Sequence, residues 1–159
     1  MSNKLEGKVA IVTGGTANLG RLFAESLASD GANVVVHYNS VRRSEEAAKA
    51  VAELETHGVE AMSYQADLTN ISEITKLVDA TVTRFGQWDI LVNTSGLIVR
   101  KPLAETTEEE YDNSFAINAK IPFFLMSRNR SVRARPSGTS SSHQATSIWP
   151  PSTVCSSCL

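Results

Sequence analysis

Val9-Ala10-Ile11-Val12-Thr13-Gly14-Gly15-Thr16-Ala17-Asn18-Leu19-Gly20 reads as a buried strand, a glycine-bearing turn and the opening of a helix. The run Val9 to Val12 is uncharged and rich in β-branched residues, as a central parallel strand requires. Gly14 and Gly15 let the backbone turn where a Cβ would clash, and Gly20 lets the following helix lie close to the strand. Such a turn aims free backbone N–H groups and a helix dipole at one spot, which suits a pyrophosphate. Two readings stand side by side at this point: a dinucleotide site, or an ordinary tight strand-to-helix turn.

The rest of the chain repeats the strand–helix alternation. Leu19 to Ala28 has helical spacing, with Leu22, Phe23, Leu27 and Ala28 as its apolar stripe, and Asp30-Gly31 stops it. Asn33 to Tyr38, with Val34, Val35 and Val36, is a second buried strand. Strand, helix, strand calls for a right-handed crossover and a parallel sheet. Ser44 to His57 is an amphipathic helix closed by Gly58, and Val59 to Gln65 is a third strand. Ile71 to Phe85 is a helix stopped by Gly86, and Trp88 to Val92 is a fourth strand. A further helix starts at Thr106 or Thr107, since Thr106 with Glu109 and Thr107 with Glu110 both have capping-box spacing. Pro122 inside that helix removes the donor to the Asn118 carbonyl and predicts a kink. The alternation therefore predicts an α/β fold with a parallel sheet of about four strands.

Size and composition narrow the function. The 159 residues fit one domain with a real core. A formal net charge of −2 and a pI near 5.9 argue against nucleic acid as a partner. No apolar run is long enough to span a bilayer, so no membrane is expected as a partner. The first residues lack a signal-peptide core, and a cytoplasmic location is the default expectation. Cys155 and Cys158 are the only cysteines, too few for a disulfide framework, and no metal site is expected.

Thr13-Gly14-x-x-x-Asn18-x-Gly20, Asp67-Leu68, Asn93-Thr94-Ser95-Gly96 and Asn118 together resemble the classical short-chain dehydrogenase/reductase family, over about residues 5–126. Asn18 stands where the family usually has Gly, and Asn tolerates left-handed backbone better than most residues. The resemblance implies a doubly wound, Rossmann-like sheet with strand order 3-2-1-4, a nicotinamide dinucleotide cofactor and a small carbonyl or alcohol substrate. It also implies a homo-oligomer, or pairing with an intact relative. It assigns Gly14, Asn18, Leu19 and Gly20 to the cofactor's pyrophosphate turn, and Asp67 and Leu68 to the adenine. Asn93 would brace the central strands, with Gly96 beside the ribose, and Asn118 would hold a water in the catalytic proton relay. Other roles remain for Asp67, as a cap or loop residue before a helix, and for Asn118, as a bystander to a proline kink.

The end of the second strand selects the cofactor. A site for NAD wants a carboxylate there, roughly 20 residues past the glycines, for the ribose 2′-hydroxyl. Here the chain reads His37-Tyr38-Asn39-Ser40-Val41-Arg42-Arg43, without a carboxylate. Asn39, Ser40 and Arg42 suit a 2′-phosphate, so NADP is expected. NAD is the alternative, since Ala17 stands where many NADP-using relatives carry a basic residue and the arginines also suit the start of an exposed helix.

After Met126 the text changes character. Residues 127–159 contain no Asp, Glu, Lys or Tyr, and are rich in Ser and Arg. They read as a disordered tail, separate from a partial dinucleotide-binding domain over residues 1–126. The catalytic Ser and the Tyr-x-x-x-Lys pair that the resemblance implies have no counterpart there. The last Tyr is Tyr111 and the last Lys is Lys120. The expected cause of the switch is a reading frame lost near residue 127, by frameshift, retained intron or wrong gene assembly. Cys155-Ser156-Ser157-Cys158 has redox-motif spacing but no βαβ context around it.

Overall fold

The computed structural model describes residues 3–133. Strand β1 (Val9–Thr13) leads through a glycine turn into helix α1 (Asn18–Ser29), then come β2 (Asn33–Tyr38), α2 (Ser44–Glu55), β3 (Ala61–Gln65), α3 (Ile71–Phe85) and β4 (Ile90–Asn93). Helix α4 (Glu108–Phe115) runs through a π turn at Ala116–Lys120 into α5 (Ile121–Arg133). All strand pairs are parallel, as the alternation requires, and the sheet order is β3-β2-β1-β4, as expected. No helix among the described residues is long and apolar enough to cross a membrane.

Alternation along β1 and β2 builds two cores. Ile11 and Val35 face Ile74, Leu77 and Val78 of α3, together with Trp88, Ile121 and Leu125. Val12, Val34 and Val36 face Ala24 and Ala28 of α1 and Leu54 of α2. Both faces of the central strands are thus covered, and the β1 side chains from Val9 to Val12 are buried. Strand β4 is half-exposed because it pairs only with β1 among the described residues.

Several local expectations change. Helix α1 packs through Gly20, Ala24 and Ala28, a row of small residues at four-residue spacing that brings it close to the sheet. Leu22 and Phe23, expected in the stripe, are 61% and 47% exposed. Strand β3 begins at Ala61 rather than Val59, because the Asn33 side chain takes the Glu60 N–H at 2.9 Å. Trp88 is a core residue before β4, its Nε1 donating to the Ile90 carbonyl at 2.7 Å.

Pro122 produces a π turn where a kink was expected. The Ile121 N–H donates to the Ala116 carbonyl, and α5 restarts with Pro122 in its first turn, where a missing N–H costs little. Ile121 and Leu125 then anchor α5 in the core, and burying a leucine contributes about 2 kcal/mol. So anchored, the helix continues through Arg133, into the segment read as disordered, because arginine propagates helix well. Residues 134–159, with Cys155 and Cys158, lie outside the described residues.

The capping ambiguity resolves onto Thr107. Its hydroxyl accepts from the Glu110 N–H, and the Glu110 carboxylate accepts from the Thr107 N–H at 2.9 Å. Lys101 sits 2.6 Å from the same carboxylate, and with the Thr107 N–H it holds the Glu110 pKa down to about 2, against an ordinary 4.5. The stability contributed by the Glu110 half of the box is therefore full above pH 4.5 and is lost as pH falls through about 2, while the Thr107 half does not titrate. Thr107→Ala is expected to cost about 1 kcal/mol in a denaturant titration.

Candidate active site at the carboxyl edge of the sheet

Strand β1 ends on a buried hydroxyl. Thr13 Oγ1 donates to Asn93 Oδ1 at 2.8 Å and accepts from the backbone N–H groups of Thr94 (3.2 Å) and Ser95 (3.3 Å). Thr94 Oγ1 in turn donates to the Thr13 carbonyl at 2.5 Å. A hydroxyl has one proton and two lone pairs, so Thr13 is saturated, and it fastens the ends of β1 and β4 together. The family resemblance implies a brace at Asn93; Thr13 and Thr94 belong to the same motifs but carry no assigned role there. The available signal was a hydroxyl closing a fully apolar strand, since a buried hydroxyl needs partners.

The glycine turn follows at once. Gly14 has φ +66°, and Asn18, at φ +50°, is the one non-glycine residue in left-handed backbone among those described. A Cβ at Gly20 would run into the Gly14 carbonyl and lie 2.7 Å from Thr94 Oγ1. No side chain caps α1, so the N–H groups of its first turn face the turn's open side. There a cleft of about 370 Å³ opens. Gly14, Asn18, Leu19, Gly20 and Asn93, all expected at the site, line it with Ala17, Phe23, Thr94 and Arg43. This is the point where the strand order reverses from β2 to β4 about β1, the place where open α/β sheets take ligands. An uncapped helix start and a guanidinium favour an anion in it.

The other expected residues stand at the same edge of the sheet. Asn39 and Ser40 are exposed beyond β2. The Asn39 carbonyl accepts from Gln65 Nε2 at 2.6 Å, and Ser40 caps the short 3₁₀ turn Val41–Arg43 by accepting from the Arg42 N–H. Arg42 is exposed and does not line the cleft; its neighbour Arg43 does. Arg43 lies only 3.7 Å from Glu46 with both side chains half in water, a pairing too weak to withhold it from a ligand. Asp67 is exposed after β3, its Oδ1 accepting from Thr69 N (3.0 Å) and Oγ1 (2.7 Å), while Asn70 caps α3. Leu68 turns its side chain into the core, so it can offer a ligand only its backbone.

Asn118 is held by the π turn against the loop after β4. Its Oδ1 accepts from the Leu97 N–H at 2.9 Å, and its Nδ2 donates to the Leu97 carbonyl (2.7 Å) and to Ser114 Oγ (3.1 Å). The side chain is a clamp on that loop. Gly96 lies beneath it, where an added Cβ would be 3.4 Å from Asn118 Oδ1.

The sequence pattern of the short chain dehydrogenases matches residues 8–135. The chain belongs to the short-chain dehydrogenase family. The match runs past Met126 to the end of α5 and beyond. Among the relatives, a protein of Zymoseptoria tritici named "Probable tetrahydroxynaphthalene reductase" is 46% identical over 125 residues, covering 78% of this chain and 46% of its own length. A protein of Burkholderia cenocepacia named "Putative Dehydrogenase", solved with bound NADP, is 41% identical with a TM-score of 0.76, over 80% of this chain and 49% of that one. A blue fluorescent protein from a metagenomic library, solved with NADPH, is 34% identical with a TM-score of 0.77, over 80% of this chain and 52% of that one. The chain thus spans about half the length of the relatives it matches.

One functional-edge residue escaped the sequence reading. His37, 3% exposed, donates from Nε2 to the Ala66 carbonyl at 2.9 Å, and a carbonyl only accepts, which fixes the tautomer. Its Nδ1 is buried without a partner. Burial lowers its pKa below 6.5, against the opposing pull of the Ala66 bond and of Asp67. The unfolded chain therefore takes up this proton before the folded one does. Its contribution to stability is full above pH 6.5 and is lost as pH falls below it. Melting temperature is expected to fall between pH 7 and pH 5 in the wild type, and less in His37→Gln.

Proposed function

We propose that this chain is the dinucleotide-holding part of an NADP(H)-dependent oxidoreductase that moves hydride between the cofactor and a carbonyl or alcohol. The observation that carries the reading is the cleft at the β1–β4 switch point, lined by the glycine turn and by Arg43. Gly14, Asn18, Leu19 and Gly20 would hold the pyrophosphate. Asn39, Ser40 and the guanidinium of Arg43 or Arg42 would hold a 2′-phosphate, and Asp67 with the Leu68 backbone would meet the adenine. NADP or NADPH bound in two of the related structures supports the choice of cofactor. Bound, the nicotinamide supplies or accepts the hydride.

Hydride transfer also needs a proton donor at the carbonyl oxygen, and these 159 residues contain no Tyr-x-x-x-Lys. Asn118 keeps the relay position, as a positioning residue that secures the loop after β4. The chain by itself is therefore proposed to hold NADPH without turning it over. Titrating NADPH fluorescence tests this: binding at least about tenfold tighter than NADH, with no loss of the reduced nicotinamide when carbonyl substrates are added. Equal affinity for the two cofactors, or turnover, would overturn it.

A second reading is pairing with another copy or an intact relative, in the cytoplasm. An exposed apolar row on α4 and α5 favours it: Tyr111, Phe115, Phe123 and Met126 are all more than half exposed. Phe115 and Phe123 line a groove between Asp112 and Lys120.

A further inference from the structure

The strand register aligns four polar residues in one row across the sheet: Tyr64 beside His37, His37 beside Thr13, and Thr13 beside Asn93. Strands β1 and β4 end at this row, and β2 and β3 pair one residue further, at Tyr38 and Gln65. On the β4 side, Thr13 and Asn93 fasten two strand ends. On the β3 side the comparable fastening is made by His37. The ladder of β3 ends at Gln65, and Ala66 is buried beyond it. Its N–H donates to the Tyr38 carbonyl at 3.0 Å, and its carbonyl accepts from His37 Nε2. Both polar groups of Ala66 are thus held by β2, immediately before Asp67. The same histidine's backbone carbonyl accepts from the Gly15 N–H at 3.1 Å, inside the glycine turn. One residue therefore sets two turns at the edge of the cleft.

We infer that His37 is a positioning residue for the adenosine half of the dinucleotide, registering the Asp67 turn against the glycine turn. The inference rests on the dinucleotide reading, in which the nucleoside on the β2 side of the pyrophosphate is the adenosine. The imidazole supplies what an apolar side chain cannot: a donor long enough to reach the Ala66 carbonyl from within β2.

The test uses the full chain, with adenosine 2′,5′-bisphosphate and reduced nicotinamide mononucleotide as separate probes. In His37→Gln the side-chain amide reaches the Ala66 carbonyl, whereas in His37→Asn it falls short. The glutamine variant is expected to bind the bisphosphate within about twofold of wild type, and the asparagine variant about tenfold more weakly. Both variants are expected to keep the wild-type affinity for the mononucleotide. Equal bisphosphate affinity in the folded asparagine variant overturns the inference. So does a parallel loss of both probes, which marks a purely structural residue. A wild-type chain that binds neither probe overturns the dinucleotide reading itself. A measurement without substitution stands behind these: in wild type, the His37 Nε2–H proton resonance shifts when the bisphosphate is added and stays in place with the mononucleotide. A resonance that moves for neither or equally for both contradicts the inference.

Discussion

Gly20→Ala is expected to unfold the glycine turn and abolish nucleotide binding, although alanine is the better helix former. Two effects oppose each other. Replacing glycine inside a helix gains up to about 1 kcal/mol of propensity. The new Cβ, however, would meet the Gly14 carbonyl and Thr94 Oγ1, and neither can give way. The Gly14 carbonyl belongs to a turn already in left-handed backbone, and Thr94 Oγ1 is bonded to the Thr13 carbonyl. Overpacking of this kind costs about 3 kcal/mol, so the clash wins. Thermal melts should show a large drop in stability, and NADPH titration of any folded remainder should show no binding. A more stable variant would mean that α1 does not approach the turn so closely.

Thr13→Val is expected to be the second severe change. Valine keeps the shape and the β-branching, so β1 loses no packing. It removes the acceptor for two backbone N–H groups, those of Thr94 and Ser95, and the donor to Asn93. Leaving these partly buried groups without partners costs about 2–4 kcal/mol. That is a large share of the stability of a domain this size, about 5–15 kcal/mol. Thr13→Ser keeps the hydroxyl and should cost only about 1 kcal/mol for the lost methyl. A valine variant as stable as the serine variant in urea would show that β4 is held by its ladder alone.

Elements with a strong period were legible in the sequence. The residues of β2 and α3 stand within the ends expected, because Val34-Val35-Val36 admits one reading and Gly86 stops α3 at φ +79°. The parallel pairing followed from the strand–helix alternation, whereas the strand order came only with the family resemblance. Helix α1 was misread because Leu22 and Phe23 are large, whereas spacing and close approach favour the small row Gly20, Ala24 and Ala28. Thr106 and Thr107 satisfy the same capping pattern, and only the backbone path decides between them. Pro122 announced an irregularity but not its form, since a kink and a π turn both excuse its missing N–H. At the site, the glycines and Asn93 carry their signal locally. Thr13 and His37 do not, because their partners lie far along the chain, at Asn93 and Ala66. Arg43 rather than Arg42 lines the cleft for a similar reason, since the facing of a short 3₁₀ turn is set by its docking and not by its composition.

The central claim is that the turn from Gly14 to Gly20 receives the pyrophosphate of NADP(H). Backbone amide resonances followed while NADPH is added to the chain test it most directly. The account predicts that the amides of Gly14, Asn18, Leu19 and Gly20 shift together and saturate with those of Asn93 and Thr94, at one NADPH per chain. An NADPH titration that leaves these amides in place, or moves only residues away from the carboxyl edge of the sheet, would contradict it.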